Sequence, residues 1–253
     1  MERIGGANPV TGPIAIDGVS TGDFVAVVIE DVDGAPVTGY GYMNTTPTLH
    51  PDFAAETVIC HRRGDEVEIP TEAGGVMIPL RPFIGTIGVA PAGEPILSFQ
   101  QGRTILGNVD MPDVKAGATV VMRANVDGAL VSLGDAHLAQ GDAEIHRSAI
   151  ETQADVQLRI ERLPADRAGY ASLPQVNSED EWGSVAPGPG HLEELVRAAY
   201  DDLAERIRMT GRFTLQEAYR LLGAVGTVRI GQVVPPVYSA MAKIERRYVE
   251  EVA

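Results

Sequence analysis

GALVSLGDAHLAQGDAEIHRSAIE, residues 128–151, begins as an apolar strand and ends as a cluster of acids and imidazoles. The run from Ala129 to Leu133 breaks at Gly134, and Asp135, His137, Asp142, Glu144 and His146 follow within a dozen residues. In an extended chain alternate side chains share a face, so Asp135 and His137 can aim at one point, as can Asp142 and Glu144. A carboxylate and a neutral imidazole two residues apart suit a borderline divalent cation such as zinc. Gly134 and Gly141 permit the sharp turns that bring the two pairs together. The plainer reading of the same residues is a polar hairpin loop whose Asp and Gly make the turn, since local spacing fixes no third ligand.

Upstream, residues 1–134 punctuate like a β protein, with short Val/Ile-rich runs between Gly, Pro and Asp. The expected strands are Ile14 to Asp17, Phe24 to Val32, Glu66 to Pro70, Val76 to Leu80, Thr86 to Ala90, Thr119 to Val126 and Ala129 to Leu133. Asp33-Gly34 and Asp127-Gly128 supply turn chemistry. Downstream, Val156 to Glu161 alternates as a half-exposed strand. Pro187-Gly188-Pro189-Gly190 reads as a linker that ends the β pattern, and His191 to Arg208 carries Leu195, Ala199, Leu203 and Ile207 at helical spacing. Glu193, Glu194, Asp201, Asp202 and Glu205 read as the solvated face of that helix. Thr214-Leu215-Gln216-Glu217 is a capping box opening a second helix through Leu222. Beyond Pro235-Pro236, the spacing of Met241, Ile244 and Tyr248 predicts a third. The expected fold is α+β, mainly β: a β-sandwich or barrel-like core, β-rich over 1–165, with a helical C-terminal part, 190–253, packed on it as one domain.

Composition narrows the function. The chain has 253 residues, 44% hydrophobic and 22% charged, which is globular and long enough for a sizeable core. A net charge of −15 repels phosphate backbones and anionic membrane surfaces, so neither nucleic acid nor membrane is an expected partner. The N-terminus shows no signal sequence, and the apolar run Phe24 to Ile29 is too short to span a bilayer, so a cytoplasmic protein is expected. A lone cysteine, Cys60, excludes internal disulfides and Cys-rich zinc modules and reads as a buried small hydrophobe. Ser132 beside Asp135 and His137 mimics a hydrolase triad but lacks a nucleophile elbow. His50, His61, His146 and His191 read as structural or solvent-facing, with His61 and His146 as reserve ligands. Arg81 and Arg103 are candidates to pair with a substrate carboxylate, an ordinary ion pair being their default.

Further stretches carry a resemblance. Asn8-Pro9-Val10-Thr11-Gly12-Pro13, the run from Arg81 to Pro91 (RPFIGTIGVAP) and Leu106-Gly107-Asn108-Val109-Asp110, together with residues 128–151, resemble the acetamidase/formamidase family in order and interval. Glu217 to Leu222 and Ile230 to Val234 are similar to that family's closing helix and strand. The resemblance implies a metal-dependent hydrolase of small linear amides, giving carboxylate and ammonia or amine. The implied cofactor is a divalent metal, zinc foremost, with calcium at a second site as an option. Carried over by position, it implies Asp110, Asp135 and His137 as metal ligands, Asp142 as alternate or second-metal ligand and Glu144 as general base. Asn108 or a backbone N–H would hold the oxyanion. A homodimer is the expected assembly.

The sequence also departs from the family. Leu106 and Ala143 stand where the family's stretches have glycine. Members also carry a preceding N-terminal segment with a His and acids, whereas here the chain starts almost at Asn8. The rival expectation is a relative without amidase activity that serves as a ligand-binding or oligomeric structural protein.

Overall fold

The strand Phe24–Gly34 shows how alternation builds the core, because Val25, Val27 and Ile29 point one way and are fully buried. The computed structural model describes residues 8–45, 52–165 and 172–250, so His50 lies outside the described residues. Phe24–Gly34 is flanked by Ala154–Leu163 and Thr119–Arg123. From there the sheet continues through Gln175–Asn177, Glu181–Pro189 and Val237–Glu245 to Thr227–Val234. A second antiparallel sheet runs in the order Gly74–Pro79, Glu66–Thr71, Glu56–Arg63, Tyr40–Thr45, Glu151–Thr152, Val131–His137, Phe83–Gly88, Leu106–Asn108 and Gln101–Gly102. Val10–Ile14 and Glu151–Thr152 share one edge of Val131–His137.

The two sheets pack face to face. Ile84, Ile87, Val131 and Leu133 from one meet Val25, Val27, Ile29, Val120 and Met122 from the other in a single apolar cluster. The fold is therefore mainly β with two helices, a sandwich as the strand pattern predicts. Val131–His137 is central in its sheet, which is why its final residues, Asp135 and His137, sit inside the molecule. The expected Ala129 to Leu133 strand begins two residues late and runs on to His137.

The C-terminal part differs from the expectation. Leu192–Met209 and Leu215–Val225 are helices, the second closed by the Thr214/Glu217 capping box. Leu195, Ala199, Leu203 and Ile207 pack on Ala186, Ala240, Ala242 and Ile244, small residues that let a helix approach the sheet closely. Asp202 is buried and not on a solvated face: it accepts hydrogen bonds from the Leu173 N–H (2.8 Å) and the Ser172 hydroxyl (3.1 Å).

The predicted third helix is instead the strand Val237–Glu245, followed by the 3₁₀ turn Arg246–Tyr248. Pro235-Pro236 closes a hairpin with Thr227–Val234, pairing Val234 with Val237, and so joins two strands where it was expected to precede a helix. Met241 and Ile244 face opposite sides of this strand, Met241 into the sandwich and Ile244 toward the helices. Their helical spacing is coincidental. Likewise 187–190 is no linker, for Pro187 and Pro189 lie within Glu181–Pro189, paired with Val237–Glu245.

Leu203 is fully buried between helix and sheet, so Leu203→Ala should cost about 2–5 kcal/mol. Thr214→Ala, which removes only a cap, should cost about 1 kcal/mol. Urea unfolding of the two variants checks the order.

Candidate functional site

His137 is held from two sides by its own sheet. Phe83, its register partner on one neighbouring strand, stacks on the imidazole at 4.7 Å and 15°. Glu151, its partner on the other, places a carboxylate oxygen 3.1 Å from Nε2. With Nε2 committed to Glu151, Nδ1 is left free; it is buried and has no hydrogen-bond partner among the described residues.

Asp110 follows the strand Leu106–Asn108 and is 1% exposed. Its Oδ2 accepts from Gln232 Nε2 (2.6 Å) and Asn108 Nδ2 (2.9 Å), while Oδ1 is buried without a partner among the described residues. The backbone is pinned as well: the Gly85 carbonyl accepts the Val109 and Asp110 N–H groups, and Gln140 Nε2 donates to the Asp110 carbonyl (2.7 Å). Gly85 is required here. A Cβ at that position would lie 2.5 Å from Asp110 Oδ1 and 2.6 Å from His137 Cε1, so both side chains border the space that glycine leaves. Asp135 Oδ2 accepts from Asn8 Nδ2 (2.8 Å) and Thr86 Oγ1 (3.3 Å), and both donors also reach Asn108 Oδ1.

Asp110, His137 and Glu144 offer ligand atoms within 4.8 Å of one another, as do Asp135, His137 and Glu151. The two groups share His137. Burial and mutual repulsion shape their electrostatics. Burial, then the Glu144 and Asp135 charges, raise Asp110 well above the usual carboxylate range. Burial also raises Asp135, and it pushes Glu144 up to about 7. Burial alone would lower His137, yet Glu151, Asp135 and Asp110 outweigh it and hold the imidazole up to about 10. Burial opposes ionisation of Glu151 too, but His137 keeps it below its ordinary value. Four carboxylates around one imidazole, two orphaned ligand atoms and a mixed N/O donor set fit a divalent cation such as zinc.

Backbone strain concentrates at the same place. Asp110 (φ 44°), Asp135 (59°) and Glu144 (45°) are all left-handed, as are Leu106 (67°) and Ala143 (78°). The acids open onto a cleft of about 880 Å³, which Tyr42, Phe99, Pro236 and the exposed Arg147 also line.

Of the residues singled out from sequence, Asn108, Asp110, Asp135, His137 and Glu144 come together. Asp142 does not. Its exposed carboxylate lies 3.5 Å from Arg229 Nε, and it lines, with Ile145 and His146, an adjoining groove that shares Glu144 and Ser148 with the cleft. Gly141 is followed by the left-handed Ala143 and Glu144, so the strand-like alternation that would pair Asp142 with Glu144 is broken. Ser132 lines another pocket with Val10 and Pro13, His61 meets Tyr40 edge-on, and His191 precedes the first helix. Cys60 is buried, which raises its thiol and leaves it inert. Neither Arg81 nor Arg103 lines the cleft. Sequence reasoning missed Glu151, Gln232, Asn8 and Thr86 as site residues, although each lies in a quoted stretch. Their roles depend on cross-strand register and on contacts across more than 100 residues for Asn8 and Gln232.

The profile of the Acetamidase/Formamidase family matches residues 100–173. Among solved structures, an acetamidase from Bacillus halodurans is 30% identical with a TM-score of 0.86 over 95% of this chain and 79% of that one. An acetamidase from Yersinia enterocolitica is 26% identical, with a TM-score of 0.86 over 96% and 75%. A predicted acetamidase/formamidase from Thermoanaerobacter tengcongensis is 28% identical, with a TM-score of 0.85 over 94% and 77%. No curated protein sequence matches.

Gly85→Ala should drive Asp110 and His137 apart and cost about 1–3 kcal/mol through overpacking. Gly141→Ala, whose Cβ meets nothing within 4 Å, should stay within about 0.5 kcal/mol of the parent. Denaturation and a crystal structure of each variant check this.

Proposed function

Because the chain belongs to the acetamidase/formamidase family, we propose that it hydrolyses the C–N bond of a small amide to a carboxylate and ammonia or an amine, using a divalent cation. The observation that carries the reading is the pair of buried, unpartnered ligand atoms, Asp110 Oδ1 and His137 Nδ1, beside the carboxylates of one cleft. Asp110, His137 and Asp135 would hold the cation, zinc foremost, with Glu151 fixing the imidazole through its contact with Nε2. Such an ion lowers the pKa of water bound to it toward ~7 and polarises the amide carbonyl.

The chain's own groups do the rest. Glu144, held up to about 7, is poised to take a proton at neutral pH. It accepts the proton of the attacking water and delivers it to the amide nitrogen, which then leaves as a neutral amine when the C–N bond breaks. Asn108 Nδ2 commits one hydrogen to Asp110, and its second N–H is the donor proposed for the developing oxyanion. Burial, with Glu151 and Asp135 nearby, raises the Tyr42 phenol, so it stays a donor at the cleft wall. Among the described residues no helix is long and apolar enough to cross a membrane. A homodimer in the cytoplasm completes the proposal, and light scattering tests the assembly.

Glu144→Gln should lower ammonia release from short amides by about 10²–10⁴-fold while retaining the metal, measured by mass spectrometry of the purified protein. His137→Ala should lose both. Loss of metal in Glu144→Gln would make Glu144 a ligand and not the base.

Cation uptake should also release protons. At neutral pH, His137 and part of the Glu144 population carry protons that the ion displaces, so affinity rises with pH through about 7 and beyond. Calorimetric titration in buffers of different ionisation heat measures the release.

A further inference from the structure

Arg147 is the one cationic side chain among the described residues that line the cleft, which otherwise carries Asp110, Asp135, Glu144 and Glu151. It follows Glu144 by three residues, in a turn closed by its N–H donating to the Glu144 carbonyl at 2.9 Å. Such a turn keeps the two Cα atoms within about 7 Å. Its φ of 64° is a left-handed conformation that costs a side-chain-bearing residue roughly 1–2 kcal/mol. A long, charged residue held there, in a chain of net charge −15, makes no ion pair with any described residue. Apart from those four acids and Arg147, the lining is neutral, Asn44, Phe99, Gln100 and the Val234 to Val237 turn included.

The size of the cleft points the same way. A two-carbon amide has four non-hydrogen atoms and fills roughly 100 Å³, on the scale of ~30 Å³ for one water. The cleft holds about 880 Å³, so a substrate can extend from the acids to the rim. A guanidinium presents a fork of N–H donors matched to a carboxylate, which a compact ammonium does not reproduce.

We propose that Arg147 binds an anionic group of the substrate, so that the amide hydrolysed carries a carboxylate a few bonds from its carbonyl. The substrate class is the monoamide of a short dicarboxylic acid. Water adds to the amide carbonyl, the C–N bond breaks, and the products are the dicarboxylate and ammonia. This rests on the amidase reading above and goes further by naming what the acyl side carries.

The test compares succinamate with butyramide, a neutral amide of the same chain length, on the zinc-loaded protein. Wild type should favour succinamate in kcat/KM for ammonia release. In Arg147→Ala that preference should fall about 10- to 100-fold, the scale of a lost charge-assisted hydrogen-bonded pair, with Arg147→Lys restoring part of it. Equal use of both amides by wild type, or a preference that Arg147→Ala leaves unchanged, overturns the role of Arg147 while the amidase reading stands. Calorimetry of succinamate binding to Glu144→Gln, with and without Arg147→Ala, decides the subsite independently of turnover. Tighter binding that depends on Arg147 supports it even if neither amide is cleaved, an outcome that would count against the amidase reading alone. Binding that is indifferent to Arg147 overturns it.

Discussion

The 3.1 Å contact between His137 Nε2 and Glu151 is the constraint on which the site depends. It joins two neighbouring strands at one register pair, and Phe83 fills the other side of the ring, so the imidazole cannot turn. Fixing Nε2 leaves Nδ1 as a buried ring nitrogen without a hydrogen-bond partner among the described residues. Breaking the pair is costly on the His137 side, because the imidazole is buried and would be left there without Glu151. That cost is sustained here by the surrounding sandwich, whose apolar cluster draws on both sheets.

Around that anchor, side-chain amides set the remaining geometry. Gln232 and Asn108 saturate one oxygen of Asp110 and leave the other facing His137; Asn8 and Thr86 do comparable work for Asp135. These donors come from distant parts of the chain: the start, a central strand and the closing hairpin. The site is thus tied to completion of the whole fold. Left-handed backbone at Asp110, Asp135 and Glu144 re-aims carboxylates that a regular strand or turn would have pointed elsewhere, and Gly85 leaves the room they need. Strain of this kind persists only where neighbouring bonds over-determine it, as the paired N–H groups on the Gly85 carbonyl do for Asp110.

Much of this was readable from residue order. The spacing singled out Asp135 and His137 together, although Asp135 reaches the site through left-handed backbone; the Val/Ile-rich run Phe24 to Val32 marked a strand, and the Thr214/Glu217 cap marked a helix start to the residue. The closing hairpin was misread because Pro235-Pro236 looks like a breaker, whereas a two-residue turn tolerates it when the flanking strands need no N–H there. Glu151 and Gln232 were invisible as site members for a different reason. Nothing local distinguishes a strand-end Glu from any other, and only the register with His137 gives it meaning. Asp142 lies apart from Glu144 for another reason: their spacing is regular in sequence, but with positive φ at Ala143 and Glu144 one acid is buried and the other lies beside Arg229.

What remains is whether Asp110 Oδ1 and His137 Nδ1, both buried and unpartnered among the described residues, exist to hold an ion. Anomalous diffraction at the zinc absorption edge, from crystals of the zinc-soaked protein, addresses this directly. A single strong peak bonded to both atoms, at the roughly 2.0–2.2 Å that zinc takes with oxygen and nitrogen, is the predicted result. Absence of any peak between them, with the acids and the imidazole closed on one another through protons alone, would contradict it.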